Sequence, residues 1–318
     1  MDKLISDIIN GGQITKEGAL RLFDFDIEDL LYAATKIRKK YKGGKVSICS
    51  IINAKSGQCG EDCKFCAQSA FNKTEVKVYP LAEPAKIARS ADKALENAAC
   101  FGIVSSGNYL NEKEIGSLCE MFKSYKNVEK LSVSIGRLSD GILLKLKEAG
   151  IKKIHHNLET SGGFFPKICS THTYNERIDT IKRAKAAGFK ICAGGLFGIG
   201  ETLNDRIDLA FTLKELDVES VPMNFFIPVK GTELEKAKPL SAIEILKIIA
   251  IFRIILQKQD IVICGGREVN LRDLQPMIFA AGANAIMSGG YLTTGGRDTE
   301  TDLKMIEDLG LEPLRGEV

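Results

Sequence analysis

The chain has 318 residues, 44% of them hydrophobic and 27% charged, with a net charge of +3. This composition describes a globular protein with a large core. The charge is too small to recruit nucleic acid or an anionic membrane surface.

Residues 1–44 read as an N-terminal helical extension. TKEGALRLFDF and IEDLLYAATKIRKKY both carry apolar residues at helical spacing. The start, MDKLISDIING, has no basic segment leading into an apolar core, so a cytoplasmic location is expected. From 45 to 318 short β-branched runs alternate with helical segments, each pair taking roughly thirty residues. Strands are expected at 46–52, 100–106, 131–136, 153–159, 190–198, 220–226, 261–266 and 285–290. Helices are expected between them, including 84–98, 174–187, 241–257 and 298–309. The most apolar of these, IEILKIIAIFRIILQ (243–257), is interrupted by Glu244, Lys247 and Arg253 and is too short to span a membrane. Eight strands alternating with helices predict an α/β fold, a (β/α)8 TIM-type barrel over 45–318. No G-x-G-x-x-G follows the first strand, which disfavours a doubly wound sheet.

The chain holds nine cysteines. An odd count without a secretion signal argues against a disulfide framework. Cys119 and Cys169 read as buried small hydrophobes. Cys59, Cys63 and Cys66 are different, because they crowd into CGEDCKFC directly after the first strand. In a barrel that position lies on the catalytic face. Soft thiolates at close spacing select zinc or an iron–sulfur cluster. A structural zinc site wants four ligands, and no second C-x-x-C or nearby histidine completes one. Three thiolates suit a 4Fe–4S cluster with one iron left open.

C-x-x-x-C-x-x-C resembles the signature of the radical S-adenosylmethionine (SAM) enzymes. The resemblance continues through SGQCGEDCKFCAQS, HHNLETS, TYNERIDTIKRAKAAGFKICAGGLFGIGET, SVPMNFFIPVKGTEL, GGRE and AGANAIMSGGYLTT. Together these look like the biotin synthase family, from about residue 45 to the end. The resemblance implies that SAM binds the open iron and is cleaved to a deoxyadenosyl radical. It implies that two such radicals let sulfur from an auxiliary cluster be inserted into dethiobiotin to give biotin. It also implies an electron donor such as flavodoxin or ferredoxin, and a homodimer. The protein's part in such chemistry is orientation and exclusion of side reactions.

Site residues carry over by position. Phe65 matches the aromatic beside the adenine. Asn157 and Glu159 match contacts to the ribose and methionyl parts of SAM; the family usually has Asp where Glu159 stands. Arg177 matches an arginine near the SAM carboxylate. Gly194, Leu196 and Glu201 lie in the glycine-rich segment beside the adenine. Asn224 matches an asparagine facing the ureido ring of dethiobiotin, and Asn157, Thr293 and Thr294 match further substrate contacts. His155, a further candidate substrate contact, stands where the family usually has Asn. His156 matches a family histidine, the alternative being a satisfied core histidine, and His172 reads as a surface residue.

The resemblance breaks at the auxiliary cluster. The family's usual 2Fe–2S site uses three cysteines and an arginine. Cys100 and Cys192 match two of the cysteines, but Ser132 and Val262 occupy the other positions. Valine cannot ligate iron, and serine substitutes poorly for thiolate. Cys264, two residues past Val262, faces the same way, and Cys49 stands where the family has serine. Cys49, Cys100, Cys192 and Cys264 therefore predict a 4Fe-type auxiliary cluster with an extra sulfide, the alternative being 2Fe–2S with Cys49 and Cys264 only packing. Other barrels with the same signature, the hydrogenase maturases and methylornithine synthase, remain rivals. A non-catalytic iron–sulfur or zinc scaffold is a more distant one.

Overall fold

The computed structural model describes residues 3–290, 292 and 295–315, so Thr293 and Thr294 lie outside the described residues. Parallel strands close into a ring: β1 (Lys45–Lys55), β2 (Cys100–Ser105), β3 (Leu131–Ser134), β4 (Lys153–His155), β5 (Lys190–Cys192), β6 (Gly195–Phe197), β7 (Ser220–Phe225), β8 (Asp260–Ile263) and β9 (Ala285–Met287). β9 pairs back onto β1, from Ser47↔Ala285 to Cys49↔Met287. β5 and β6 are two pieces of one stave, both paired with β7, so the ring has eight staves. The fold is the expected TIM-type (β/α)8 barrel.

Three details depart from the predicted elements. The run 190–198 breaks at Ala193 and Gly194. The strand expected to 159 ends at His155, and Glu159 sits at φ +67°, outside the range of a strand. A further strand, β10 (Glu312–Leu314), pairs with the start of β1.

Alternation along β1 shows how the barrel is filled. Val46 and Ile48 are fully buried beneath the helices, whereas Ser47, Cys49 and Ile51 point into a central cavity. The helices start where the sequence supplies caps: Asn111/Glu114, Thr173/Glu176, Thr202/Asp205 and Ser241/Glu244 each form a capping box. The helix Ala242–Ile255 is buried nearly all round, and among the described residues no helix is long and apolar enough to cross a membrane.

The N-terminal helices are laid onto the barrel. In the helix Ile27–Lys42, Leu30, Ala33, Ala34 and Ile37 are buried. Thr35 donates to the Ala280 carbonyl at 2.8 Å and Arg38 to that of Phe279 at 3.0 Å. Lys247 donates to the carbonyls of Phe23 and Phe25 at 2.8 and 2.7 Å. This apolar stripe is covered by its own chain, so it is no argument for a dimer.

Arg267, in the GGRE segment, is fully buried and grips Asp302, also fully buried, with Nη1–Oδ1 at 3.0 Å and Nη2–Oδ2 at 2.7 Å. The same guanidinium bonds Gln275 at 2.6 Å and the Met287 carbonyl at 3.3 Å, tying the end of β8 to the end of β9. Asp302→Ala leaves that cation buried without its main partner. The expected cost is about 3–5 kcal/mol, read as a lowered midpoint in urea unfolding.

Candidate active site

A cavity of about 400 Å³ opens inside the barrel. Two groups of sulfurs line it.

The first group is the loop after β1. Cys59, Cys63 and Cys66 all face the cavity, with Phe65 beside them. The loop's backbone holds its own shape. Cys59 N–H donates to the Gln68 carbonyl at 3.0 Å, Ala70 N–H to that of Cys59 at 2.8 Å, and Cys66 N–H to that of Cys63 at 3.0 Å. The Asn72 amide caps the Cys63 and Cys66 carbonyls at 3.1 and 2.9 Å. Burial pushes the Cys66 thiol up to about 11. A hydrogen bond with Cys169, then burial, pushes Cys63 up as well. A soft metal therefore has to displace protons from these sulfurs to bind.

The second group lies on the staves or, for Cys264, just past the end of one. Cys49, Cys100, Cys192 and Cys264 line the same cavity, with Ser132 and Val262 among them. Val262, Cys264, Ala285 and Met287 form an apolar patch against Cys49 and Ile51. Cys49 and Cys100 are register partners on adjacent strands with Cα atoms 4.9 Å apart, and their sulfurs are joined as a disulfide. This departs from the expected pair of separate thiolates: direct pairing of two inward positions puts both sulfurs in one place. They are available as ligands only when reduced. Cys192 is opposite His155 across β4 and β5. Burial alone would raise the Cys192 thiol, but the His155 imidazole, Lys153 and Ser220 together hold it below its ordinary value. Cys264 goes the other way, raised by burial and by the neighbouring Cys192 sulfur.

The polar residues predicted from sequence partly converge. His155, His156, Asn157, Glu159, Arg177, Leu196 and Asn224 all line the cavity. Asn157 Oδ1 accepts from Gly194 N–H at 3.1 Å and lies 3.0 Å from His155 Nε2. Its Nδ2 lies 3.4 Å from Glu159 Oε2. Arg177 donates to the Asn157 carbonyl at 2.7 Å, lies 3.8 Å from Glu159 and covers the Phe165 ring at 5.5 Å. Asn224 is buried, its Nδ2 donating to the Gly195 carbonyl at 3.2 Å and its Oδ1 accepting from Gly265 N–H at 3.1 Å. The two backbone bonds fix the plane of its amide. His156 is buried, and among the described residues its Nε2 has no hydrogen-bond partner, so it is not a satisfied core histidine. Burial, then the Arg177 charge, holds it well below its ordinary value, as a neutral ring. A buried unpartnered nitrogen in a cavity wall fits a site that receives a polar ligand.

Two of the expected cofactor contacts are engaged by the protein itself. Glu201 is outside the cavity lining. Its carboxylate accepts from Gly198 N–H at 2.9 Å, Ile199 N–H at 2.8 Å and Arg206 Nε at 2.7 Å, so it braces its own loop. Gly194 is also outside the lining, and what approaches it is protein. A Cβ there would lie 1.9 Å from the Pro222 carbonyl oxygen, and one at Gly195 would lie 2.6 Å from that of Glu159. Gly194→Ala is expected to lower stability by about 1–3 kcal/mol, read as a fall in Tm of the metal-free protein. His172 is a further correction. It is buried, not on the surface, because Glu61 and Arg177 enclose it. Nothing in the residues around His172 marked it, since the partner Glu61 lies 111 positions away.

Comparison with known proteins agrees with this geometry. Residues 55–213 match the Radical SAM superfamily and residues 222–312 the Biotin and Thiamin Synthesis associated domain. The chain is 67% identical over 312 residues to a biotin synthase of Endomicrobium trichonymphae, covering 98% of each. It is 48% identical to one of Citrifermentans bemidjiense, again covering 98% of each. Among solved structures, methylornithine synthase superposes with a TM-score of 0.84 at 23% identity, over 99% of this chain and 98% of that one. The FeFe-hydrogenase maturase of Carboxydothermus hydrogenoformans gives 0.83 at 18%, over 98% of this chain and 79% of that one. At those identities the two structures establish the shared barrel alone.

Proposed function

The chain belongs to the biotin synthase family of radical SAM enzymes, and on that footing we propose that it converts dethiobiotin to biotin by inserting sulfur between two saturated carbons. The supporting observation is one cavity lined both by a three-cysteine loop and by the sulfurs of Cys49, Cys100, Cys192 and Cys264. Cys59, Cys63 and Cys66 would hold a 4Fe–4S cluster, since the loop offers three thiols on a backbone satisfied without them. When bound there, the cluster and SAM supply a deoxyadenosyl radical able to take hydrogen from an unactivated carbon.

This chain's own residues then bind and orient. Phe65 offers a flat apolar surface to an adenine. Arg177 offers a cation to a carboxylate, with Asn157 and Glu159 beside it. Neutral His156 offers a nitrogen that no group among the described residues uses. Asn224 presents an amide of fixed orientation, and an amide can both donate to and accept from a urea. The apolar strand walls keep water away from reactive carbon.

Cys100, Cys192 and Cys264, with Cys49 as a fourth candidate, fit an auxiliary cluster of 4Fe type with an extra sulfide. Four sulfurs face one cavity, and Val262 carries no donor atom. Cys49 and Cys100 ligate only in the reduced protein. Such a cluster would supply the sulfur. We further assign a reductant of flavodoxin or ferredoxin type, a cytoplasmic location and a homodimer.

The test is anaerobic incubation of the reconstituted protein with SAM, dethiobiotin and a reductant. Biotin is expected with two deoxyadenosines formed per molecule, one for each carbon attacked. Deoxyadenosine without biotin would overturn the assignment of substrate.

A further inference from the structure

We propose that His172 and Glu61 form a relay that positions Arg177 for the carboxylate of SAM; the inference rests on the reading of Arg177 given above. Glu61 lies inside the cysteine loop, between Cys59 and Cys63. Its Oε2 is 2.5 Å from His172 Nδ1. On the other side of the ring, Arg177 Nε lies 3.0 Å from His172 Nε2. All three residues line the cavity, and Glu61 and His172 are buried.

The protons set the direction of the relay. A guanidinium Nε–H is always a donor, so His172 Nε2 must accept. The ring proton is then on Nδ1, and it is donated to the Glu61 carboxylate, the closer of its two neighbours; the Cys169 sulfur lies at 3.3 Å. Glu61 selects the tautomer, and the tautomer supplies the lone pair that Arg177 needs. Thr171 Oγ1 donates to the same carboxylate and fixes it in turn.

The same count decides against a metal ion here. Glu61, Cys169 and His172 bring one donor atom each within 4.8 Å of one another. An ion on Nδ1 would need a lone pair there, yet Nε2 already spends the other on Arg177. Both nitrogens would have to be unprotonated, beside a fixed cation.

Arg177 is therefore held at three points. Nε is on His172, Nη1 is on the Asn157 carbonyl at 2.7 Å, and the plane lies over Phe165. Among the described residues Nη2 donates to nothing, and it is the atom left for a ligand. Losing His172 removes one of the three points and frees the side chain to rotate. His172 is a positioning residue: the structure has it touch Arg177, not the reacting atoms. The relay also ties the aim of Arg177 to the loop that carries the cluster cysteines.

The experiment titrates SAM into the anaerobically reduced, cluster-loaded protein and follows the change in the EPR signal of the cluster, alongside iron content and KM for SAM. In His172→Ala, half-conversion should need about tenfold more SAM, as for other residues that orient a ligand-binding group. KM should rise by more than turnover at saturating SAM falls. His172→Gln should recover most of the loss, because its carbonyl can accept from Arg177 while its NH2 donates to Glu61. Arg177→Ala should weaken SAM at least as much, and the double variant should be no worse than Arg177→Ala, since the two act as one unit. If Arg177→Ala binds SAM normally, the reading of Arg177 is wrong. If Arg177→Ala weakens SAM but His172→Ala does not, the relay alone is overturned. Loss of iron in both His172→Ala and His172→Gln would also overturn it, by assigning the histidine to cluster retention.

Discussion

Cys66→Ala, reconstituted anaerobically, is expected to bind about four fewer irons than the unaltered chain. It should give no SAM-dependent change in its EPR signal and form neither deoxyadenosine nor biotin, a loss to the limit of detection. The reason is local. Three thiols face the cavity from one short loop, and among the described residues no other cysteine lies in that loop to replace the lost one. The loss should be one of chemistry and not of folding. The loop's backbone bonds, from Cys59 to Gln68 and from Asn72 to the Cys63 and Cys66 carbonyls, do not involve the sulfur. The half-buried side chain leaves little void, so unfolding of the metal-free variant should shift by about 1 kcal/mol or less. Unchanged iron content, with SAM still perturbing the cluster, would move the cluster elsewhere.

What could be seen in the sequence follows from how local each signal is. The staves were visible because β-branched runs alternate with amphipathic helices, and because capping residues such as Thr173 and Ser241 stand where helices begin. The break at Ala193 and Gly194 was not visible. It depends on the Pro222 carbonyl pressing on Gly194 from the next stave, a contact across 28 positions of chain. The three-cysteine loop announced itself by spacing within eight residues. His172 did not, because Glu61 comes from a distant loop and Arg177 from the helix that begins at Tyr174, and no spacing rule links them. Glu201 shows the opposite case: it sits in a motif, but the motif gave no sign that its carboxylate accepts from the N–H groups of Gly198 and Ile199 and from Arg206. The N-terminal helices were legible as helices, while the surface that covers their apolar stripe was set by tertiary packing against Ala280 and Phe279.

The auxiliary site gives the sharpest remaining test, because strand parity and sulfur count point the same way. Val262 and Cys264 are two residues apart and both line the cavity, so the cysteine faces where an arginine at 262 would face. Cys264 is buried beside the Cys192 sulfur, and both effects raise its thiol well above the ordinary value. A buried thiol held that firmly protonated is inert until a metal takes the proton's place. Reconstituted protein should therefore contain about eight irons per chain, resolved by Mössbauer spectroscopy as two 4Fe clusters. Cys264→Ala should keep the first set, of about four irons, and lose the second. It should still cleave SAM to deoxyadenosine, because Cys59, Cys63 and Cys66 are untouched, but biotin should fall to the limit of detection for want of a sulfur source. About six irons in the unaltered chain, split between 4Fe and 2Fe sites, with Cys264→Ala still making biotin, would mean that Cys264 only packs against Val262 and Met287. In that event Cys49, disulfide-bonded to Cys100, would become the thiol to vary next, since reduction of that bond would add it to Cys100 and Cys192 as the third thiolate that Ser132 does not supply.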